Sequence, residues 1–116
     1  MEPNYQEIIS KAYLGFNARD IAAVLALMHP NVHWPKAFDG GYAIGYEEIR
    51  VYWTHQWTEI NPIVEPVSIN ARADGKVAVE VHQLVKDMEG NILFDGNVKH
   101  VYKIENNLIL SMDIEL

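Results

Sequence analysis

Cysteine is absent from the 116-residue sequence, and its absence removes several chemistries at once. The chain cannot form a disulfide, offer a thiolate nucleophile or bind zinc through sulfur. Any catalysis would therefore have to come from carboxylates, histidines, hydroxyl groups or a borrowed cofactor.

Basic side chains are also scarce, because nine Lys and Arg stand against 16 Asp and Glu and leave a net charge of −7. A phosphate backbone is bound through a basic surface, so nucleic acid is not expected as a partner. Nowhere do about 18 apolar residues follow one another, and the first five residues lack a basic region followed by an apolar run. We therefore expect no membrane partner and a cytoplasmic location.

The composition that is present, 49% hydrophobic and 22% charged residues, is that of a folded protein. A chain of this length can bury one substantial core, and no linker or repeat divides it. Residues 1–116 are predicted to form a single domain.

Three helices are predicted in the first half of the chain. Apolar residues recur at helical intervals from Tyr5 to Asn17, and a second helix begins near Asp20 and runs through Met28. The third, from about Tyr46 to Glu59, buries a stripe that consists of Ile49, Tyr52, Trp53 and Trp57. Such a stripe packs a core or forms the wall of a ligand cavity.

Alternation predicts strands in the rest of the chain. A short strand at residues 32–34 is stopped by Pro35, and longer strands are expected at 63–73, 76–85, 92–104 and 108–116. Because alternate side chains of a strand point to opposite faces, one set of side chains is predicted to face the core: Val77, Val79, Val81, Val85, Val98, His100, Tyr102, Ile104, Leu108, Leu110, Met112, Ile114 and Leu116. Helices followed by strands predict an α+β domain whose mostly antiparallel sheet is covered on one face.

The order of these elements and five segments within it resemble the nuclear-transport-factor-2-like superfamily, in particular its SnoaL-like and ketosteroid-isomerase-like branches. The segments are Ala18-Arg19-Asp20-Ile21, Pro30-Asn31-Val32-His33-Trp34-Pro35, Gly45-Tyr46-Glu47-Glu48-Ile49-Arg50, residues 74–80 and His100-Val101-Tyr102-Lys103-Ile104. The resemblance implies a cone-shaped fold, with three N-terminal helices packed on a curved sheet around a deep apolar pocket. It leaves function open, because one fold hosts many activities.

The resemblance also implies catalytic residues. The ketosteroid isomerase relatives carry a general-base aspartate before the proline that matches Pro35, but Trp34 stands there, and an indole cannot accept a proton at neutral pH. Their oxyanion acid matches His100, which could donate a hydrogen bond or exchange protons near neutral pH, with Tyr13 near the position of the assisting tyrosine. Asp39, in a glycine-bearing loop, could supply the missing base or simply make a turn.

Seven further side chains are candidates for ligand contact: Trp34, Tyr52, Trp53, Gln56, Trp57, Tyr102 and Met112. Core packing is the alternative for the aromatic ones, as a hydrogen-bonded core position is for His100. His55 and Glu59 have metal-chelating spacing, but a solvated helix face explains the pair better, so no metal and no other cofactor is expected. The outer sheet face mixes Ala78, Leu84, Val101 and Ile109 with charged residues, and the resemblance implies a homodimer through this face.

Together these observations predict a small-molecule pocket protein whose partner is a small apolar molecule bearing a carbonyl or hydroxyl. The enzyme version is a cofactor-independent isomerase, cyclase or dehydratase acting next to that carbonyl. The alternative is a non-catalytic ligand-binding or dimerisation domain, which the missing aspartate favours.

Overall fold

A computed structural model describes residues 5–36 and 40–115, which form three helices and a single six-stranded sheet. The elements are α1 (Tyr5–Asn17), α2 (Ile21–Leu25), β1 (Met28–Pro35), β2 (Tyr42–Ile44), α3 (Gly45–Glu59), β3 (Ile60–Ala71), β4 (Val77–Asp87), β5 (Ile92–Glu105) and β6 (Leu108–Glu115). The strand order is β2-β1-β6-β5-β4-β3, and every neighbouring pair is antiparallel except β1 and β6. The predicted α+β cone fold, with its helices on a mostly antiparallel sheet, is confirmed. No helix in the described ranges is long and apolar enough to cross a membrane.

The two N-terminal helices pack closely because a glycine lies at their contact. A Cβ atom on Gly15 would lie 2.7 Å from Cγ2 of Val24, so any larger residue would push α1 and α2 apart. Asp20 caps α2 by accepting a hydrogen bond from the backbone N–H of Ala23 at 3.1 Å. The short hairpin that the sequence predicts is therefore formed.

The prediction for residues 26–44 is wrong in three respects. Helix α2 ends at Leu25, and β1 already begins at Met28, where the Leu27 carbonyl accepts a hydrogen bond from Ile109 of β6 at 2.9 Å. Pro30 is tolerated because the pairing with β6 is irregular between Met28 and His33. The three-residue strand β2, at the sheet edge, was not predicted at all.

The parity prediction for β6 is also wrong over its first half. Ile104 pairs with Ile109 whereas Lys103 pairs with Ser111, so Leu110 is an extra residue in the ladder. This bulge turns Ile109 into the core, where it is fully buried, and leaves Leu108 and Leu110 only half-buried. Ile109 therefore does not belong to the outer sheet face.

The long edge strand β3 is tied to the end of α1 by one asparagine. The Asn17 side chain donates to the Val64 carbonyl at 2.7 Å and accepts from the Val64 N–H at 3.0 Å. It thus replaces a neighbouring strand at a buried point of an otherwise unpaired edge.

We expect Asn17→Ala to lower the free energy of unfolding by about 2 kcal/mol, because it leaves a buried donor and a buried acceptor of Val64 without partners. Denaturant unfolding measures this change. Asn70→Ala removes an exposed asparagine from the same strand and is the matched control. Equal effects of the two substitutions would contradict this role of Asn17.

Candidate functional site

One cavity lies between the helices and the inner face of the sheet. Its volume is about 640 Å³ including its opening, and little of this volume is wide enough for a water molecule, so the cavity is a narrow slot. The lining residues are Ala12, Tyr13, Phe16, Val24, Trp34, Pro35, Tyr52, Trp53, Gln56, Pro62, Val64, Gln83, His100, Tyr102, Met112 and Ile114. The surface is mainly apolar with a few polar groups, as in sites for small organic molecules.

The most distinctive polar feature of this cavity is a chain of three hydrogen-bonding side chains. Tyr102 donates its hydroxyl hydrogen to the Tyr13 hydroxyl oxygen at 2.7 Å. The Tyr13 hydroxyl lies 2.7 Å from Nδ1 of His100. All three residues are buried, with Tyr102 completely inaccessible and His100 only 6% exposed. Helix α1 supplies the central hydroxyl, and β5 supplies both ends.

The count of donors, together with burial, assigns the direction of this chain of hydrogen bonds. Because the Tyr13 oxygen already accepts from Tyr102, its own hydrogen is free to be donated to Nδ1 of His100. The reverse direction, from Nδ1 through Tyr13 to Tyr102, would leave the hydroxyl hydrogen of the completely inaccessible Tyr102 without an acceptor among the described residues. His100 is therefore assigned as the tautomer that carries its proton on Nε2.

The His100 Nε2–H group is the free end of the chain. Within residues 5–36 and 40–115 it has no hydrogen-bond partner. It is not a fully sealed atom either, because Trp57 Nε1 is the one sealed side-chain nitrogen or oxygen without a partner in these residues. Nε2 therefore remains accessible, and since His100 lines the cavity, the N–H is available to a molecule bound there.

Burial keeps all three groups uncharged at neutral pH. It lowers the pKa of His100 from 6.5 to about 4. It also raises the pKa of Tyr13 well above 10, with the neighbouring Tyr102 adding to the effect, and desolvation raises the pKa of Tyr102. A neutral imidazole can donate a hydrogen bond, but it cannot act as an imidazolium acid near pH 7. Both roles expected for His100 remain predictions, and the lowered pKa favours the hydrogen-bond donor over the group that exchanges protons near neutral pH.

Aromatic rings form much of the remaining wall. Trp34 meets Trp53 edge to face, with centroids 5.5 Å apart, and lies 6.3 Å from Tyr102. Phe16 packs edge to face on Trp53 at 5.4 Å. These contacts hold the indoles in fixed orientations, which favours a flat ligand in the slot.

Trp57 occupies a different place from its predicted one. It does not line the cavity; its ring stacks on Trp53 at 5.7 Å and lies 5.0 Å from the guanidinium carbon of Arg19. Arg19 donates to the Phe16 carbonyl at 3.1 Å and to the Asn61 side chain. Trp57 thus supports Trp53 from behind the cavity wall, by packing and a cation–π contact.

The structure brings together most of the side chains that the sequence singled out. Tyr13, Trp34, Tyr52, Trp53, Gln56, His100, Tyr102 and Met112 all line the cavity. Asp39 lies outside the described residues. Sequence reasoning missed Gln83, although its parity matches that of the inward valines of β4, and this parity was the available signal.

The two residues with metal-chelating spacing on α3 form an exposed contact between their side chains. His55 Nε2 lies 3.3 Å from a Glu59 carboxylate oxygen, and both side chains are about two-thirds exposed. Among the described residues no group of three or more His, Cys, Asp or Glu could hold a metal ion.

Fold and cavity together define a small α+β pocket domain. The chain belongs to the SnoaL-like domain family, whose model matches residues 9–112. This match, with the structural neighbours, confirms the nuclear-transport-factor-2-like resemblance. None of the curated proteins compared with the chain matches it.

Three solved structures illustrate the similarity. An NTF2-like protein of unknown function from Burkholderia pseudomallei is 23% identical with a TM-score of 0.84, over 100% of this chain and 92% of that one. TerC, co-crystallised with polyporic acid, is 25% identical with a TM-score of 0.84, over 99% and 92%. A Mycobacterium tuberculosis protein in complex with estradiol-17β-hemisuccinate is 16% identical with a TM-score of 0.81, over 96% and 92%.

Proposed function

We propose that the cavity binds a flat, mainly apolar molecule through a carbonyl or hydroxyl oxygen that accepts a hydrogen bond from His100 Nε2. The observation that carries this proposal is the buried Tyr102–Tyr13–His100 chain of hydrogen bonds, which ends in an N–H group that has no partner among the described residues and lies in a mainly apolar slot. A donor without a protein partner in such surroundings is best satisfied by a ligand oxygen.

The two hydrogen bonds between Tyr102, Tyr13 and His100 also strengthen the donor at their end, the Nε2–H group of His100. Tyr13 receives a hydrogen bond from Tyr102 and gives one to Nδ1 of His100. Each bond polarises the next in a medium of low dielectric constant, so the Nε2–H becomes a better donor than an isolated imidazole. Such a group stabilises negative charge that develops on a carbonyl oxygen when a neighbouring carbon loses its proton.

An isomerase, cyclase or dehydratase reaction next to that carbonyl is the catalytic form of the proposal. It needs a base, and no carboxylate is present among the described residues that line the cavity. Asp39 or a basic group of the substrate itself would have to accept the proton. Without such a base, His100 polarises the carbonyl but cannot remove the proton.

The bound molecules of two neighbours support the proposed ligand class. Polyporic acid in TerC and estradiol-17β-hemisuccinate in the Mycobacterium tuberculosis protein both join flat ring systems to oxygen substituents. The cavity that Trp34, Trp53 and Tyr102 help to line is mainly apolar with a few polar groups, which suits such molecules.

A non-catalytic binding domain that works as a homodimer is the second candidate. It is favoured by Trp34, which fills the position of the family's base and lines the cavity instead. The outer sheet face supports the dimer, because the partly exposed apolar side chains of Ala78 and Leu84 lie there among charged residues. Sedimentation at micromolar concentration tests this assembly, and a monomer would exclude it.

Replacing His100 by leucine tests the hydrogen bond to the ligand. We expect His100→Leu to weaken the binding of 2-naphthol about tenfold, because one hydrogen bond to its oxygen is lost, and to leave naphthalene binding nearly unchanged. Quenching of tryptophan fluorescence measures both affinities. His55→Leu changes an exposed histidine on α3 and is the control.

If His100→Leu weakens both compounds equally, or neither, the proposed donor role is wrong. Circular dichroism of the variant separates a loss of fold from a loss of the donor. Deuterium exchange next to the carbonyl of 2-tetralone then distinguishes the two candidates: accelerated exchange supports catalysis, and binding without exchange supports the non-catalytic domain.

A further inference from the structure

The inner face of β4 contains one residue that core packing does not explain. Along this face the side chains are Val77, Val79, Val81, Gln83 and Val85, and the four valines are at most 5% exposed. Gln83 lies between two fully buried valines, not at a fraying end of the strand. A valine or leucine there would bury more apolar surface without a polar amide to satisfy.

The Gln83 amide is also free to bind. In the described part of the chain it has no hydrogen-bond partner, and neither of its polar atoms is among the sealed unpaired ones. It lines the cavity and is half-buried. The other cavity amide, that of Gln56, already donates to the Tyr52 hydroxyl at 2.9 Å, so Gln83 is the uncommitted one.

The register of the sheet places Gln83 far from His100. Val79 pairs with His100 and Gln83 pairs with Gly96, which are four residues apart along each strand. Four residues of a β-strand span about 13 Å. Gly96 adds no side chain opposite Gln83, and the Phe94 ring lies 3.3 Å from the place where a Cβ atom on Gly96 would be, so an aromatic ring borders that end of the sheet face.

Most of the remaining side chains that line the cavity are apolar. Trp34, Trp53, Val64 and Met112 line the cavity together with the two polar sites. The Gln83 side chain extends several ångströms from the backbone, so its amide can lie closer to His100 than the backbone separation of about 13 Å. A molecule that contacts both groups would therefore carry its two polar atoms on the order of 10 Å apart.

From this arrangement we infer that the ligand is an elongated, flat molecule with a hydrogen-bonding oxygen at each end, and that Gln83 binds the end distant from His100. The inference rests on the proposed function, because it names the ligand class of the same cavity. Gln83 is thus a specificity residue: it selects molecules with two polar ends over molecules with one.

A matched pair of biphenyls tests the inference. 4-Phenylphenol has one hydroxyl, and 4,4′-dihydroxybiphenyl has a second at the opposite end of the same ring system. We expect the wild-type protein to bind the diol about fivefold more tightly, which is the effect of one added hydrogen bond. Gln83→Leu should remove this preference and leave the melting temperature unchanged or higher, because an unpaired amide is replaced by an apolar side chain.

Gln6→Leu, which changes an exposed glutamine on α1, is the control and should keep the preference for the diol. Equal binding of both biphenyls to the wild-type protein, or a preference that persists in Gln83→Leu, overturns the inference and leaves the proposed function intact. If neither compound binds the wild-type protein, the proposed function fails, and the inference fails with it.

Discussion

Replacing Trp53 by alanine is expected to lower the free energy of unfolding by about 4 kcal/mol, as is typical when a buried tryptophan is truncated. Trp53 is 1% exposed, and its ring contacts those of Phe16, Trp34 and Trp57. Alanine would remove the common neighbour of three aromatic side chains. The cavity wall and part of the core would be lost together, so the variant should also lose affinity for aromatic ligands.

Denaturant unfolding measures this loss, and Trp57→Phe provides a matched comparison on the same helix. The Trp57 indole N–H is buried without a partner in the described chain, so removing it should change stability by less than about 1 kcal/mol. If Trp53→Ala costs no more than Trp57→Phe, Trp53 is not the centre of the aromatic cluster.

The second large effect concerns pH. Burial lowers the pKa of His100 from 6.5 to about 4, so between these values the unfolded chain binds a proton that the folded chain does not. Stability must therefore fall as the pH decreases through this range. The His100 contribution to that fall is about 3 kcal/mol and is complete below pH 4.

We expect His100→Gln to flatten the decrease in unfolding free energy between pH 6.5 and pH 4 by about this amount. Urea unfolding at a series of pH values measures it. Tyr13 and Tyr102 face His100 and stay neutral throughout the range, because burial raises the pKa of both. His55→Gln is the control and should leave most of the fall in place, since His100 is retained. If the unfolding free energies of His100→Gln and the wild-type protein decrease in parallel as the pH falls, His100 is not buried in its neutral form.

The sequence predicted the elements whose signals are local. Helix α1 lies at Tyr5–Asn17 as expected, because one apolar stripe and the turn after it set both ends. The predicted α3 and the last three strands differ from the structure by no more than two residues at their ends. The start of β1, strand β2 and the bulge at Leu110 depend on pairing between distant segments, which no local pattern shows.

Part of the candidate site was predicted from the sequence, and part of it depends on contacts between distant residues. His100 and Tyr13 came from the family resemblance, and most of the aromatic lining came from helix and strand periodicity. The hydrogen bond from Tyr102 to Tyr13 joins residues 89 positions apart, so neither the direction of the hydrogen bonds nor the tautomer of His100 follows from the sequence. Trp57 follows the stripe of α3 but lies behind the wall, because Arg19 and Phe16 cover that side of the helix.

Nitrogen-15 NMR of the histidine rings tests most directly whether His100 is a buried, neutral donor. We expect His100 at pH 7 to be neutral, with its proton on Nε2 and a hydrogen-bonded, unprotonated Nδ1, and to titrate with a pKa of about 4. Addition of 2-naphthol should shift the Nε2 resonance more than the Nδ1 resonance. A proton on Nδ1, an imidazolium at pH 7, or an Nε2 resonance that does not respond to bound ligand would contradict this role of His100.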